Sequence, residues 1–527
     1  MRNRPDAPGR HWIRELLDFS VPDCSLGKDT IVHQHLAGKS ALLQAPKQLD
    51  HPGDIAVGSQ PHVVIIGAGF AGLSVAKALA KASVHVTLID RRNYHLFQPL
   101  LYQVATAGLS PADIAMPIRS ILSRQRNAVV VLGRVMAIDT ATRIVSTDAR
   151  EIPYDILIVA TGARHAYFGH DEWKSVALGL KKIEDATDIR RQILLSFELA
   201  ESTGHPAERR RLLNFVIVGG GPTGVELAGA IAELARKALA CDFRHIDPRQ
   251  ARVILIEAGP RLLATFPEKL AAAAQRALQR LGVEVRVGQR VTQCDACGVV
   301  VAGERIEART ILWAAGVAAS PAAKWLQAKA DRAGRVLVGP DLTLPGHSEI
   351  FVIGDTAAAV DVTGKPLPGV ASVAKQQGIY VARVVRARLK GISSAPLFHY
   401  RDYGNLATVG RKIAVADLGF LRLSGHLAWW LWGAVHIFFL LGFRNRIAIT
   451  LNWLWAYFTF QRGARLITGP TPLPSQIERD FDHKRWVKRG NGRYGRPWPE
   501  PCRARLTRAY EAGSSPQKRR RRLTWPS

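Results

Sequence analysis

Cysteine is scarce in this chain, and acid is scarce beside base. Its 527 residues hold five cysteines, Cys24, Cys241, Cys294, Cys297 and Cys502, too few and too scattered for a disulfide framework. Cys294 and Cys297 form a C-x-x-C where a short hairpin is expected before Gly298, and no second pair completes a zinc site. Asp and Glu number 43 against 72 Lys and Arg, a formal net charge of +29. The excess is uneven. Residues 1–60 carry seven basic and seven acidic residues, whereas 484–527 carry fourteen Lys and Arg against Glu500 and Glu511, a net of +12. A positive body with a more positive tail suits an anionic surface, either membrane or nucleic acid; the run Lys518–Arg522 by itself names neither. No apolar run reaches the roughly 20 residues of a comfortable spanning helix, which argues against a polytopic bundle. Met1–Arg10 is followed by Asp and Glu rather than by the apolar core of a secretory signal, so the body is expected on the cytoplasmic side.

What is present is a doubled motif. Gly67-Ala68-Gly69-Phe70-Ala71-Gly72 follows the strand-like run His62–Ile66, and Gly219-Gly220-Gly221-Pro222-Thr223-Gly224 follows Phe215–Val218. In such a loop the first glycine turns the chain, the second admits a pyrophosphate, and the third lets helix and strand pack closely. The diphosphate then sits at a helix N-terminus. The strand Val84–Ile89 ends at Asp90, and Arg252–Ile256 ends at Glu257. A carboxylate there bonds a ribose 2′-hydroxyl and repels a 2′-phosphate, so FAD and NAD(H) fit better than NADP(H). Arg91 and Arg92 are the feature that leans the other way. Two dinucleotides on one chain indicate an electron relay.

The order of elements extends the reading. A helix is expected over Leu73–Lys81, short strands over Ala128–Leu132 and Arg143–Thr147, and a buried parallel strand running into Ala160-Thr161-Gly162. The second unit closes on Thr310-Ile311-Leu312-Trp313-Ala314-Ala315-Gly316, an echo of that strand, and Ile350–Ile353 leads into Gly354-Asp355. Lys375–Leu389 reads as helix. The predicted fold is α/β, with two Rossmann-like domains, the NADH domain inserted in the FAD domain, and a C-terminal amphipathic, membrane-associating helical region. The boundaries are an N-terminal extension 1–60, an FAD domain 61–211 and 321–397, an NADH domain 212–320, a membrane-associating region 398–470 and a basic tail 471–527.

The glycine loops, Ala160–Gly162 and Gly354–Asp355, in that order, resemble the two-dinucleotide flavoprotein reductases. Within that group, Asn93-Tyr94-His95-Leu96-Phe97-Gln98-Pro99-Leu100-Leu101-Tyr102-Gln103-Val104-Ala105 resembles the flavin-contacting loop of the type II, non-proton-pumping NADH:quinone oxidoreductases. Phe215–Leu234, Tyr400–Gly410 and Gly442–Arg446 are similar to the same family, over about His62–Ile467. The resemblance implies NADH as donor, non-covalent FAD as relay and a membrane quinone as acceptor. It implies an FAD site at Gly67, Gly69, Phe70, Ala71, Gly72, Asp90, Arg91, Val135, Thr161, Gly162, Gly354, Asp355 and Ala374, with Asp355 on the ribityl chain. NADH is expected at Gly219, Gly221, Thr223, Gly224, Glu257, Ala315 and Gly316. Glu226, one turn into its helix, is expected to contact the nicotinamide or handle a proton; the alternative is an acid favoured by the helix dipole. Lys375, at the expected helix start, would favour negative charge on the flavin. Ser372 stands where relatives carry a quinone-facing glutamine, and Gln376 and Gln377 are the nearby substitutes.

Leu427–Phe443 and Ile447–Phe460 are apolar stretches rich in tryptophan, separated by Arg444 and Arg446. At ~1.5 Å per residue they reach roughly 25 and 21 Å, short of a ~30 Å hydrocarbon core. Aromatics flanked by arginines predict a monotopic helix pair in the interface of the inner membrane, on its cytoplasmic face; a tilted hairpin is the alternative. An anionic lipid surface is the expected partner, nucleic acid is not, and a homodimer is compatible. A sulfide:quinone reductase would need cysteines beside the flavin, and none lies near Ala160–Gly162 or Gly354–Thr356. The remaining rivals are a soluble reductase for a protein acceptor, which has no use for 427–460, and a basic redox-sensing flavoprotein acting through its tail.

Overall fold

The computed structural model describes residues 60–392, 396–459 and 462–469; the N-terminal extension and the basic tail lie outside the described residues. Two parallel sheets organise the chain. The first has six strands in the order Thr343–Leu344, His347–Val352, Ile156–Val159, His62–Ile66, His85–Asp90 and Ala128–Leu132, all parallel except the Thr343–Leu344 edge. The second has five parallel strands, Ala177–Gly179, Thr310–Trp313, Asn214–Val218, Arg252–Glu257 and Val283–Val287. Every strand of the second sheet falls in sequence between two strands of the first, which is an inserted domain. The central strands Val63–Ile66 and Asn214–Val218 are buried along their length. Helices cover both faces of a parallel sheet, so such strands are continuously apolar rather than alternating.

The doubling goes beyond the loops. Each sheet carries a three-stranded antiparallel meander, Val135–Asp139, Ile144–Thr147 and Glu151–Pro153 in the first, Val291–Asp295, Gly298–Val301 and Glu304–Glu307 in the second. The C-x-x-C lies at the first turn of the second meander. Its cysteines are free thiols, and burial pushes the Cys294 thiol up to about 12, which makes it a poor nucleophile. Ala163–His165 pairs antiparallel with Val317–Ala319 where the chain crosses between the two sheets.

Several expected boundaries shift. The second sheet begins with Ala177–Gly179 rather than at residue 212; three residues at a sheet edge carry too short a pattern to read. The first glycine-loop helix is Phe70–Ala78, not Leu73–Lys81, because Leu73 N–H already bonds Gly69 carbonyl at 3.1 Å. The helix expected from Lys375 starts at Ala371 and runs to Arg388. Lys375 is therefore a full turn inside, and the free N–H groups of the helix start belong to the residues before it.

The C-terminal region is a three-stranded sheet, Asn405–Thr408, Ala414–Asp417 and Arg422–Gly425, followed by helices His426–Phe439 and Phe443–Thr459. The arginines expected between the helices lie instead in the first turn of the second. Arg446 reaches back to donate to the carbonyls of Leu440 (2.8 Å) and Phe438 (2.9 Å), the cation that a helix C-terminus favours. Trp429, Trp432, Trp453 and Tyr457 form the seam between the helices. The outer faces leave Leu427, Trp430, Phe443, Leu451, Trp455 and Phe458 at least half exposed. No helix among the described residues is long and apolar enough to cross a membrane.

Candidate functional site

Both glycine loops leave strands that the sheets hold in fixed register. At the third glycine of each, a Cβ would lie 1.9 Å (Gly72) or 1.8 Å (Gly224) from the carbonyl oxygen of the first glycine, Gly67 or Gly219. At the second glycine, Gly69 or Gly221, a Cβ would meet nothing within 4 Å. The packing is closed where helix meets strand and open where a diphosphate would approach the helix N-terminus. Asp90 Oδ2 accepts from Ala68 N–H at 2.7 Å and its Oδ1 from Arg92 N–H at 2.8 Å. Glu257 does the same for the second loop, accepting from Gly220 N–H (2.5 Å) and Gly259 N–H (2.6 Å). Each acid braces its loop and retains lone pairs for ribose hydroxyls. Arg91 stands exposed beside Asp90.

Around the first loop the expected residues come together. The Cβ position of Gly354 lies 3.5 Å from Ala71 Cβ and 3.7 Å from Ala374 Cβ. Thr161 Oγ1 bonds Ser320 Oγ at 2.5 Å and Thr356 Oγ1 at 3.3 Å. Among the described residues none donates to the Asp355 carboxylate, which leaves it open to a polyol. Val135 is buried in the meander core, so only its backbone can face a cofactor. These features fit FAD at the first loop. Around the second, Ala315 and Gly316 follow the strand Thr310–Trp313, and the ring of Phe168, 68% exposed, lies 2.7 Å from where a Gly316 Cβ would stand. Thr223 is exposed in the loop. Sequence reasoning passed over Phe168.

The two glutamines are occupied in ways that depart from a role as free quinone donors. Gln377 is 1% exposed, and its Oε1 accepts from Gly354 N–H at 2.7 Å. Gln376 clamps Arg401, donating to its carbonyl (2.9 Å) and accepting from its N–H (3.0 Å). Ser372 Oγ bonds Tyr400 Oη at 3.1 Å.

Two other ionisable groups stand out by their surroundings. Burial pushes the Glu226 carboxyl up to about 8, against the backbone N–H of Thr408, which holds it down. Tyr102 Oη shares a 3.0 Å hydrogen bond with Thr408 Oγ1 and receives one from Gln103 Nε2 at 3.0 Å, so the loop at 93–105 and the C-terminal sheet meet beside this half-buried acid. Against the C-terminal helix pair, Lys375 Nζ sits 4.8 Å over the Phe439 ring, and burial, then Lys77, lowers its pKa. His436, one turn before Phe439, bonds Trp432 carbonyl through Nδ1 at 2.7 Å. Burial pushes it down to about 4. Its ring meets Phe97 edge-on at 6.2 Å, Phe97 meets Phe70 at 5.9 Å, and Phe70 meets His95 at 5.2 Å. An aromatic line thus runs from the first glycine loop to the exposed helix pair.

Comparison with known proteins agrees with this geometry. The family model for pyridine nucleotide-disulphide oxidoreductases matches residues 61–378, and that for the NDH2 C-terminal domain matches 403–462. Type II NADH:quinone oxidoreductase NdhA of Mycobacterium tuberculosis is 46% identical over 430 residues, 78% of this chain and 90% of that protein. The chain belongs to the type II NADH:quinone oxidoreductases. A second member from the same organism, Ndh, is 45% identical over 77% of this chain and 90% of its own length. The structure of NDH2 from Plasmodium falciparum in complex with NADH shares the fold at a TM-score of 0.72 and 20% identity, covering 78% of this chain and all of that one. The C-terminal match places the exposed helix pair inside the family's own architecture rather than in an appendage.

Proposed function

We propose that this protein oxidises NADH through bound FAD and delivers two electrons to a membrane quinone, without proton pumping, from the cytoplasmic face of the inner membrane. FAD, when bound, supplies acceptance of a hydride and release of electrons to the quinone. The net reaction takes NADH, quinone and one proton to NAD⁺ and quinol. The chain's own part is placement and charge. The Gly67–Gly72 loop, Asp90, Thr161 and Asp355 hold FAD; the Gly219–Gly224 loop and Glu257 hold NADH. Glu226, neutral near pH 7, holds a proton where the two cofactors meet. Lys375 sets a positive charge behind the flavin, next to the helix pair that rests on an anionic lipid surface.

The observation that carries this reading is the Lys375–Phe439 contact, which joins the flavin-side helix to the helix pair with the exposed apolar face. The test is NADH oxidation, with NADPH in parallel, by membrane-bound and detergent-extracted protein, with a short-chain quinone or ferricyanide as acceptor. Rapid quinone-dependent turnover with NADH, and little with NADPH, is expected. Ferricyanide turnover without quinone turnover would remove the acceptor and leave a reductase for a protein partner.

A further inference from the structure

A cavity of about 1280 Å³ opens between the helix Ile183–Ser202, the C-terminal helix pair and the segment 462–468. It touches neither glycine loop. It meets the helix Pro222–Glu233 only at Ala230 and Glu233, roughly 9 and 14 Å of helix beyond Gly224. Trp429, Trp432 and Trp453 line it, and so does Trp455, which is 62% exposed and also belongs to the apolar outer face. The cavity therefore borders the surface on which the helices would meet lipid.

The arginines of its wall are paired, with one exception among the described residues. Arg462 reaches Glu233 at 3.5 Å and the carbonyls of Thr106 (2.6 Å) and Ala230 (3.0 Å). Arg465 bonds Asp242, and Arg411 bonds the Ala456 carbonyl. Arg190 has no carboxylate. It is 5% exposed, its Nη2 donates to Thr468 Oγ1 at 3.2 Å, and its Nε is buried without a partner. Trp432 Nε1 is also buried and unpartnered, with no surface left for a ligand to reach. Leaving a guanidinium buried without a counter-charge costs several kcal/mol. A buried guanidinium with no carboxylate, in a chamber walled by indoles and open beside an apolar face, describes the seat of an anion that carries an acyl chain.

We propose that the cavity binds an anionic lipid, with its phosphate or carboxylate on the Arg190 guanidinium and its chain along Trp429 and Trp453. This rests on the membrane-association part of the proposed function and not on its redox chemistry. The occupant couples the strap at 462–468, through Thr468, to the helix pair.

The test uses the full-length holoprotein in neutral detergent micelles and reads tryptophan fluorescence during titration with brominated lipids. Brominated phosphatidylglycerol and brominated stearate are the anionic probes; brominated phosphatidylcholine is the neutral one. An anionic probe should quench at about tenfold lower concentration than the neutral one, the worth of one charge-assisted hydrogen bond. Whichever of the two anionic probes shows the lower midpoint identifies the head as phosphate or carboxylate. Arg190→Gln should bring both anionic midpoints to the neutral value while NADH–ferricyanide turnover is unchanged. Arg190→Lys should keep part of the preference. Because Arg190→Gln removes an unpaired buried charge, its lipid-free melting temperature should equal or exceed that of the unmodified protein, and only the rise on adding anionic lipid should disappear. Equal midpoints for anionic and neutral probes, or an unaltered preference in Arg190→Gln, would overturn the proposal. So would displacement of the probe by inorganic phosphate alone, which means a plain anion site, or by short-chain quinone near its KM, which means the acceptor path. Absence of quenching by every probe would instead remove the membrane association beneath it.

Discussion

The two glycine loops place the missing Cβ of their third glycine 1.9 and 1.8 Å from the same carbonyl, and both leave the second glycine in open space. They differ in what surrounds that shared backbone. Beside the first loop a two-carbon acid, Asp90, bonds the N–H of Ala68. Beside the second a three-carbon acid, Glu257, bonds the N–H of Gly220, whose Cβ would lie 2.6 Å from Leu262 Cδ2 and 2.9 Å from Glu257 Cβ. Two residues past the third glycine the first helix carries Ser74, bonded to its own backbone at Phe70 (2.7 Å), and the second carries Glu226. The backbone is dictated by the diphosphate that both loops would cradle. In the function we propose, the side chains make one loop the seat of a resident cofactor and the other the seat of a substrate that comes and goes.

The largest effect separates those two roles. Gly72→Ala and Gly224→Ala introduce the same overlap with a backbone carbonyl that cannot move away. Gly72→Ala should yield protein purified without its flavin absorbance. Gly224→Ala should keep the flavin yet need on the order of 100-fold more NADH to bleach it, about 3 kcal/mol for a forced overlap. Absorbance spectra with and without NADH check both. Loss of flavin from both variants would mean that the loops are structural equivalents and not distinct sites.

A smaller effect tests what Glu226 adds over Ser74. With a carboxyl pushed from 4.5 up to about 8, the group is neutral at pH 7 and loses its proton as pH rises through 8. Quinone-dependent turnover should therefore be level below pH 7 and fall above 8. Glu226→Gln should abolish that fall and lower turnover by on the order of 10², the usual worth of one positioned proton group. Stability shares the sign. A raised native pKa stabilises fully below 4.5 and is lost as pH rises through about 8, so the alkaline drop in melting temperature should flatten in Glu226→Gln. An unchanged pH–rate profile in that variant would return Glu226 to a helix-dipole role.

How much of this was legible in the sequence follows from the range of each interaction. Gly67–Gly72 and Asp90 lie within one βαβ unit, and the chemistry of turn, helix start and ribose acid is written locally. The inserted domain was legible because its motif repeats. The pairing of Tyr102 with Thr408 spans 306 residues, and nothing near Tyr102 announces it. His436 and Trp432 read as members of an apolar stretch, and only packing shows one aimed at Phe97 and the other holding an unpartnered N–H. Gln377, expected as a substitute quinone donor, is closed off inside the fold. It is buried because Gly378 lets its helix settle onto the first glycine-loop helix, where a Cβ would stand 2.5 Å from the Ala71 carbonyl.

The smallest effect addresses the pair Gly220 and Glu257 directly. Gly220→Ala crowds Leu262 and Glu257 and should shift the carboxylate from its N–H partners. Glu257→Asp should weaken the reach to Gly220 N–H with no clash at all. Each alone should raise the KM for NADH about tenfold, one charge-assisted hydrogen bond. The double variant gives the second loop the alanine and aspartate of the first. If the acid's length and the loop residue are matched, its KM should rise by less than the product of the two, because the shorter acid relieves part of the crowding that the alanine creates. A strictly multiplicative result would show that the two loops tolerate their acids independently, and that Gly220 answers to Leu262 alone.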